Sequence, residues 1–263
     1  MQQTARIFTT AMVLSVLVIS GVACTPNRDL MEMEQWDLVL ISDSSGWDVA
    51  DEFAIEIEQD LGIDVVVHDF ATSEFSAKEA LQALRGENPR PGDGKLDNWP
   101  EIIKSAEVIV FYANPINTAT GEWDCMVFDT PPVDCSPETF DGYVETLDQI
   151  YKEIFRLRNG APTIVRAFDA YMPWIEMWNR WGLETECGVC WKNYNAAIHH
   201  AAELNNVPVA NAYDAFNGSE HNEDPVEKGL IRSDGTHTSE TGVNLMVQLL
   251  KELGYEPVII GEK

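Results

Sequence analysis

Short apolar runs alternate with helical stripes along most of the chain. The segments Trp36–Ser42 (WDLVLIS), Asp64–His68 (DVVVH), Glu107–Tyr112 (EVIVFY), Thr163–Ala167 (TIVRA) and Val207–Ala210 (VPVA) are brief and mostly apolar. Runs of this length predict five buried strands. Between them, Val49, Phe53, Ile57 and Leu61 recur at helical spacing, and Ala80, Leu81 and Leu84 mark a shorter helix. Tyr143, Leu147, Ile150, Ile154 and Leu157 form a further stripe, as do Tyr194, Ala197, Ile198 and Ala201. A last stripe, Val243, Met246, Val247, Leu250 and Leu253, stops at Gly254. Strands separated by helices predict a parallel sheet covered on both faces, a three-layer α/β sandwich. Ligands of such sheets bind beyond the C-terminal strand ends, so the loops there should carry the chemistry.

Two loops stand out. Residues 87–100 and 115–137 are long, polar and rich in Pro and Gly, and they read as substrate-shaping insertions. The aromatic stretch Tyr171–Trp181 (YMPWIEMWNRW) reads equally well as a substrate wall or as a hydrophobic plug over the sheet.

Charge narrows the partners. Forty-four acidic residues against 17 basic ones give a net charge of −27. That surface repels phosphate backbones and anionic headgroups, so no nucleic-acid partner is expected. The first residues read as an export signal: Arg6 precedes the apolar run Ala11–Ile19, and Ser20, Gly21 and Ala23 lead into Cys24. This resembles a bacterial lipoprotein signal, with Gly21 where that motif usually carries Leu. Residues 1–23 would be removed, Cys24 lipidated as the sole membrane attachment, 24–35 left as a tether, and 36–263 folded as one domain.

Five cysteines are present, and setting Cys24 aside leaves Cys125, Cys135, Cys187 and Cys190. In an oxidising compartment these suggest the local bridges Cys125–Cys135 and Cys187–Cys190. A zinc or redox role for Cys187-Gly-Val-Cys190 lacks a second ligand pair and a thioredoxin-like Trp, so a loop staple is the preferred reading.

Of the five histidines, His199 and His200 fall in a helical pattern, His68 ends a strand, and His221 sits in a polar loop. His237 differs, standing in Asp234-Gly235-Thr236-His237 just before the closing helix. A serine hydroxyl attacks an ester only if a base takes its proton as the bond forms. Imidazole does this near neutral pH, and an aspartate on its other nitrogen fixes the tautomer. Thr238 or Ser239 could equally make this segment a helix cap. Ser44, in Ser42-Asp43-Ser44-Ser45-Gly46 after the first strand, has the same double reading of cap or nucleophile.

Taken together, Asp-Ser after the first strand and Asp-x-x-His before the last helix resemble the SGNH (GDSL-type) hydrolase family, over Trp36 to Leu253. The resemblance implies a flavodoxin-like fold, with Ser44 as nucleophile and Asp234 and His237 completing a triad. Ser42 stands where the family usually has Gly. Asn114, in FYANP, matches the family's oxyanion-binding Asn, flanked here by Tyr112 and Pro115 instead of the usual Gly-x-Asn-Asp. The block that normally offers a Gly N–H reads HDFATSEFSA, with Ser73 as first candidate donor and Ala71 as second. The Ser44 N–H would be the third donor, and no cofactor or metal is needed. Asp43 is expected beneath the nucleophile, outside the triad. The implied activity is that of an exported serine esterase or acylhydrolase acting on a small, lipid or carbohydrate ester. The alternative is a surface binding protein that keeps the architecture without turnover.

Overall fold

The computed structural model describes residues 30–92, 94–112 and 134–258, the side chain of Lys95 excepted. The segment containing Cys24, the oxyanion candidate Asn114 and Cys125 lie outside the described residues.

The five apolar runs form one parallel sheet. Its strands are β1 (Gln35–Ile41), β2 (Asp64–Asp69), β3 (Val108–Phe111), β4 (Ile164–Phe168) and β5 (Val209–Ala210), in the order β2-β1-β3-β4-β5. Every residue of β3 and β4 is buried, as strands covered on both faces must be. β5 is shorter than the sequence suggests. It lies at the sheet edge, where Pro208 removes a ladder donor.

The predicted stripes become α1 (Val49–Leu61), α2 (Ala77–Leu84), α4 (Asp141–Arg158), α6 (Glu184–Leu204) and α8 (Glu240–Glu252). Three shorter helices are added: α3 (Trp99–Ser105) begins at the end of the 87–100 loop, α5 (Ile175–Trp181) falls in the aromatic stretch, and α7 (Ala212–Asn217) lies in a segment for which no element was expected. α1 packs on α8, while α4 gathers α2, α3 and α6, giving the two covering layers. From β1 the chain moves outward to β2, then returns past β1 to β3. The C-terminal ends of β1 and β3 therefore flank the switch point, where this architecture opens a cleft. Ser44 leaves the sheet there.

A buried cation ties the last helix to the sheet. Arg166 of β4 is 2% exposed and donates through Nη2 to the carbonyls of Gly254 (2.8 Å) and Glu256 (2.9 Å), just past α8. Burial pulls its guanidinium down to about 10, against the upward pull of Glu256, so it remains charged at neutral pH. These acceptors lie in the turn after α8, and a positive charge near a helix C-terminus is also favoured by the helix dipole.

The expected local disulfides, Cys125–Cys135 and Cys187–Cys190, are not the pairs that form. Cys135 bonds to Cys190 across 55 residues, and Cys187 is bonded to a partner outside the described residues. Cys187 and Cys190 sit one turn apart in the body of α6, on the same buried face. Their Cβ atoms point outward in parallel, so each receives a cysteine from elsewhere instead of its neighbour. Asn193 Nδ2 adds a 2.7 Å bond to the Cys135 carbonyl at the same docking point. Peptide mapping under non-reducing conditions should recover the Cys135 and Cys190 peptides joined. The variant with Cys135→Ser and Cys190→Ala should lose about 2–4 kcal/mol in urea unfolding, as expected for a long closed loop.

Candidate active site

The nucleophile candidate sits on a tight turn. After β1 the backbone passes Ser42 and Asp43 into a 3-10 turn, Ser44–Gly46. Asp43 is buried, and its carboxylate accepts the Ser45 N–H at 2.8 Å, which caps the turn from beneath as expected. Ser42 is fully buried, and its Oγ donates to the Asp43 carbonyl at 2.8 Å. A Cβ on Gly46 would lie 2.3 Å from that Oγ and 2.7 Å from the Ser42 Cβ. Only glycine lets the turn close over Ser42. Room lost at position 42, where the resemblance leads one to expect Gly, is recovered at position 46.

The base candidate hangs from the start of α8. Ile231 and Thr238 form an antiparallel bridge, and the Arg232 N–H donates to the His237 carbonyl at 2.7 Å. Ser239 caps α8 by accepting the Gly242 N–H at 3.2 Å. A Cβ on Gly242 would fall 2.2 Å from the Leu230 carbonyl oxygen, so glycine is needed for this close approach. The segment thus caps a helix and presents Asp234 and His237 at the same time.

Asp234 Oδ1 accepts the backbone N–H groups of Thr236 (2.9 Å) and His237 (3.0 Å). Its Oδ2 lies 3.0 Å from His237 Nδ1. Desolvation pushes this carboxyl upward, but the two N–H bonds and the His237 ring outweigh it and hold it at about 2. An ionised carboxylate can only accept, so Nδ1 must carry the ring proton and a neutral ring leaves Nε2 as an acceptor. Nε2 lies 3.0 Å from Ser44 Oγ, which is half-buried and free to donate to it. Ser44, His237 and Asp234 therefore form one continuous relay.

The remaining histidines stand apart from that relay. His68 pairs with Asp37 at 3.0 Å across β1 and β2, and His221 pairs with Asp214 at 2.6 Å while stacking on Tyr213. His200 is exposed on α6. His199 bonds to the buried Asp169 at 3.0 Å, and that carboxylate raises its pKa against the opposing effect of burial.

Of the oxyanion candidates, the Ser44 and Ser73 N–H groups have no acceptor among the described residues. Ala71 N–H is engaged by Asp69 Oδ1 at 2.8 Å, whereas the Ser73 N–H is not. The loop runs beside the nucleophile turn because Phe70 N–H bonds Leu40 O (2.9 Å) and Thr72 N–H bonds Ser42 O (3.1 Å). Arg90 clamps it from outside. Its guanidinium reaches Ser73 O (2.9 Å) and Glu74 O (2.8 Å), and pairs with Glu79 at 2.6 Å. Glu79 in turn forms a capping box with Ser76 at the start of α2.

Further supports were not legible as site residues. The Trp47 ring stacks on His237 with centroids 4.6 Å apart. Asp48 bridges Arg232 at 2.6 Å, linking the nucleophile turn to the base loop. Tyr171 Oη donates to Thr236 O at 3.2 Å, and Trp174 Nε1 to Thr236 Oγ1 at 3.3 Å. The aromatic stretch is thus mainly a buried plug that buttresses the base loop. Two buried asparagines hold the plug: Asn195 bonds both backbone groups of Ala170, and Asn217 both of Met172. The available signal was the nearness of Trp47 and Asp48 to Ser44; Arg90, Asn195 and Asn217 gave none.

No protein-family model and no curated protein sequence matches the chain. Solved structures do. The lipase Lip_vut3 from a goat rumen metagenome superposes with a TM-score of 0.60 at 17% identity, over 85% of this chain and all (100%) of that one. A proposed SGNH hydrolase from Slackia heliotrinireducens gives 0.53 at 16% identity, over 83% of this chain and 98% of the other. The chain has the SGNH-hydrolase fold. Axe2, an acetylxylan esterase from Geobacillus stearothermophilus, gives 0.54 at 17% identity over 84% and 95% of the two chains. Within this SGNH fold, Ser44 follows β1 and the Asp234–His237 loop precedes α8.

Two outcomes follow from the geometry. A downfield proton resonance from His237 Nδ1–H should be present in the wild type and absent in Asp234→Asn, as measured by NMR. Arg90→Ala should free the Ser73–Glu74 loop, read as faster backbone amide exchange at these two residues in an otherwise folded protein.

Proposed function

We propose that the protein is an exported serine esterase working through an acyl-enzyme. The observation that carries this reading is the unbroken run of contacts from Ser44 Oγ to His237 Nε2 (3.0 Å) and from His237 Nδ1 to Asp234 Oδ2 (3.0 Å). The likeness to ester-cleaving enzymes supports the same coarse activity.

In this mechanism Ser44 Oγ attacks the acyl carbon while its proton passes to His237 Nε2. The carbonyl π pair moves onto oxygen, where the N–H groups of Ser44 and Ser73 stabilise the charge. The Asn114 amide is proposed as the third donor, by family resemblance. The intermediate collapses as His237 returns the proton to the leaving alcohol oxygen. Water then attacks the acyl-Ser44 carbonyl, again giving its proton to Nε2, and the acid departs as Ser44 regains its hydrogen. Asp234 stays ionised throughout and steadies the imidazolium.

The substrate class we favour is a short acyl ester, such as an acetyl ester of a carbohydrate or another small ester. Export is supported by the N-terminal charge and apolar pattern and by the Cys135–Cys190 disulfide, which is expected in an oxidising compartment. Lipidation of Cys24 belongs to the same proposal. The alternative, an inert binding protein, has no need of a bonded relay with a fixed tautomer.

A fluorophosphonate probe should label the wild-type protein covalently and fail on Ser44→Ala. His237→Ala should fold normally and lose at least 1,000-fold (roughly) of its turnover on p-nitrophenyl acetate. Wild-type protein that neither labels nor hydrolyses any short acyl ester would overturn the reading.

A further inference from the structure

The turn that carries Ser44 brings a second group to the base. Trp47 follows the nucleophile by three residues, and its ring lies against His237 with centroids 4.6 Å apart and planes 13° from parallel. The imidazole is therefore held along two edges and one face: Ser44 at Nε2, Asp234 at Nδ1, and the Trp47 ring beneath. The Asp48–Arg232 bridge adjoins Trp47 and binds its turn to the loop of the base. Both aromatic partners are half-buried, so solvent only partly screens the contact.

The face of an indole carries negative quadrupole potential, which attracts a cation within about 6 Å of the ring centre. In the proposed mechanism His237 takes up the Ser44 proton as an uncharged base. As the Oγ–carbon bond forms, the Ser44 proton moves to Nε2 and the ring becomes a cation over that face. The attraction therefore grows toward the transition state, which is the condition for an interaction to raise the rate.

We propose that Trp47 is a positioning residue of the esterase, aligning the His237 ring and stabilising the imidazolium formed there. This rests on the serine-esterase reading above. The test is a site-specific series at position 47 with mono-, di-, tri- and tetrafluorinated tryptophan, which drains the indole face of negative potential at nearly constant shape. On p-nitrophenyl acetate, kcat/KM should fall steadily with fluorine number, by about 2- to 30-fold across the series. Trp47→Phe should fall within that range and Trp47→Leu at or below its end. A flat fluorotryptophan series in an enzyme whose wild type labels and turns over would overturn the role of the indole face and leave the esterase standing. A wild type that neither labels nor turns over would remove both.

Discussion

The hydrogen bond between Ser44 and His237 joins groups 193 residues apart, and the proposed chemistry depends on their meeting at one end of the sheet. Neither residue could find the other through local structure. Ser44 is delivered by β1, an inner strand of the sheet, beside the point where strand order reverses. His237 is delivered by α8, which packs on α1, the helix that starts just after the nucleophile turn. The α1–α8 contact therefore sets the reach between Ser44 and His237, while Asp48–Arg232 and the Trp47 stack fix the last few ångströms. An exposed ion pair contributes little to stability, so the Asp48–Arg232 bridge matters here for alignment.

Direction in the relay comes from Asp234. Its low pKa follows from a turn that spends two backbone N–H groups on one carboxylate oxygen, leaving the other for imidazole. Charge on the aspartate decides which ring nitrogen keeps the proton, and so decides that Ser44 faces an acceptor. The turn that could be read as a mere helix cap is what makes this possible. Ser239 caps α8 while the preceding residues bring Asp234 Oδ2 to His237 Nδ1, so one segment serves as a cap and also sets the geometry on which the proposed chemistry rests.

The architecture was legible because a buried parallel sheet writes itself as short apolar runs with helical stripes between them. The convergence of Ser44, Asp234 and His237 was legible because each sits in a compact motif beside the element that carries it. The disulfides were not. Sequence proximity favoured Cys187 with Cys190, but one turn of α6 points both side chains the same way, and Cys135 reaches Cys190 from 55 residues off. Arg90, Asn195 and Asn217 were hidden for a related reason. Their partners are backbone atoms of distant loops, which leave no pattern in side-chain identity. The aromatic stretch admitted two readings, and burial of Tyr171 and Trp178 favours the plug.

Rigidity behind the base comes from both ends of α8. At its start, the Ser239 cap and the close approach of Gly242 to Leu230 fix where the helix begins. Beyond its end, Arg166 gathers the carbonyls of Gly254 and Glu256 from within β4. In a chain of net charge −27 with only 17 basic residues, committing a fully buried arginine to this task is a costly use of a cation. Removing charge from water is unfavourable unless several acceptors replace the lost solvent; the carbonyls of Val165, Gly254 and Glu256 do so for Nη1 and Nη2, while Nε has no partner among the described residues. A helix pinned to the central sheet at one end and to the Leu230 loop at the other cannot slide along its axis. The Ser44–His237 distance is thereby tied to the packing of the core, as a site needing sub-ångström alignment requires.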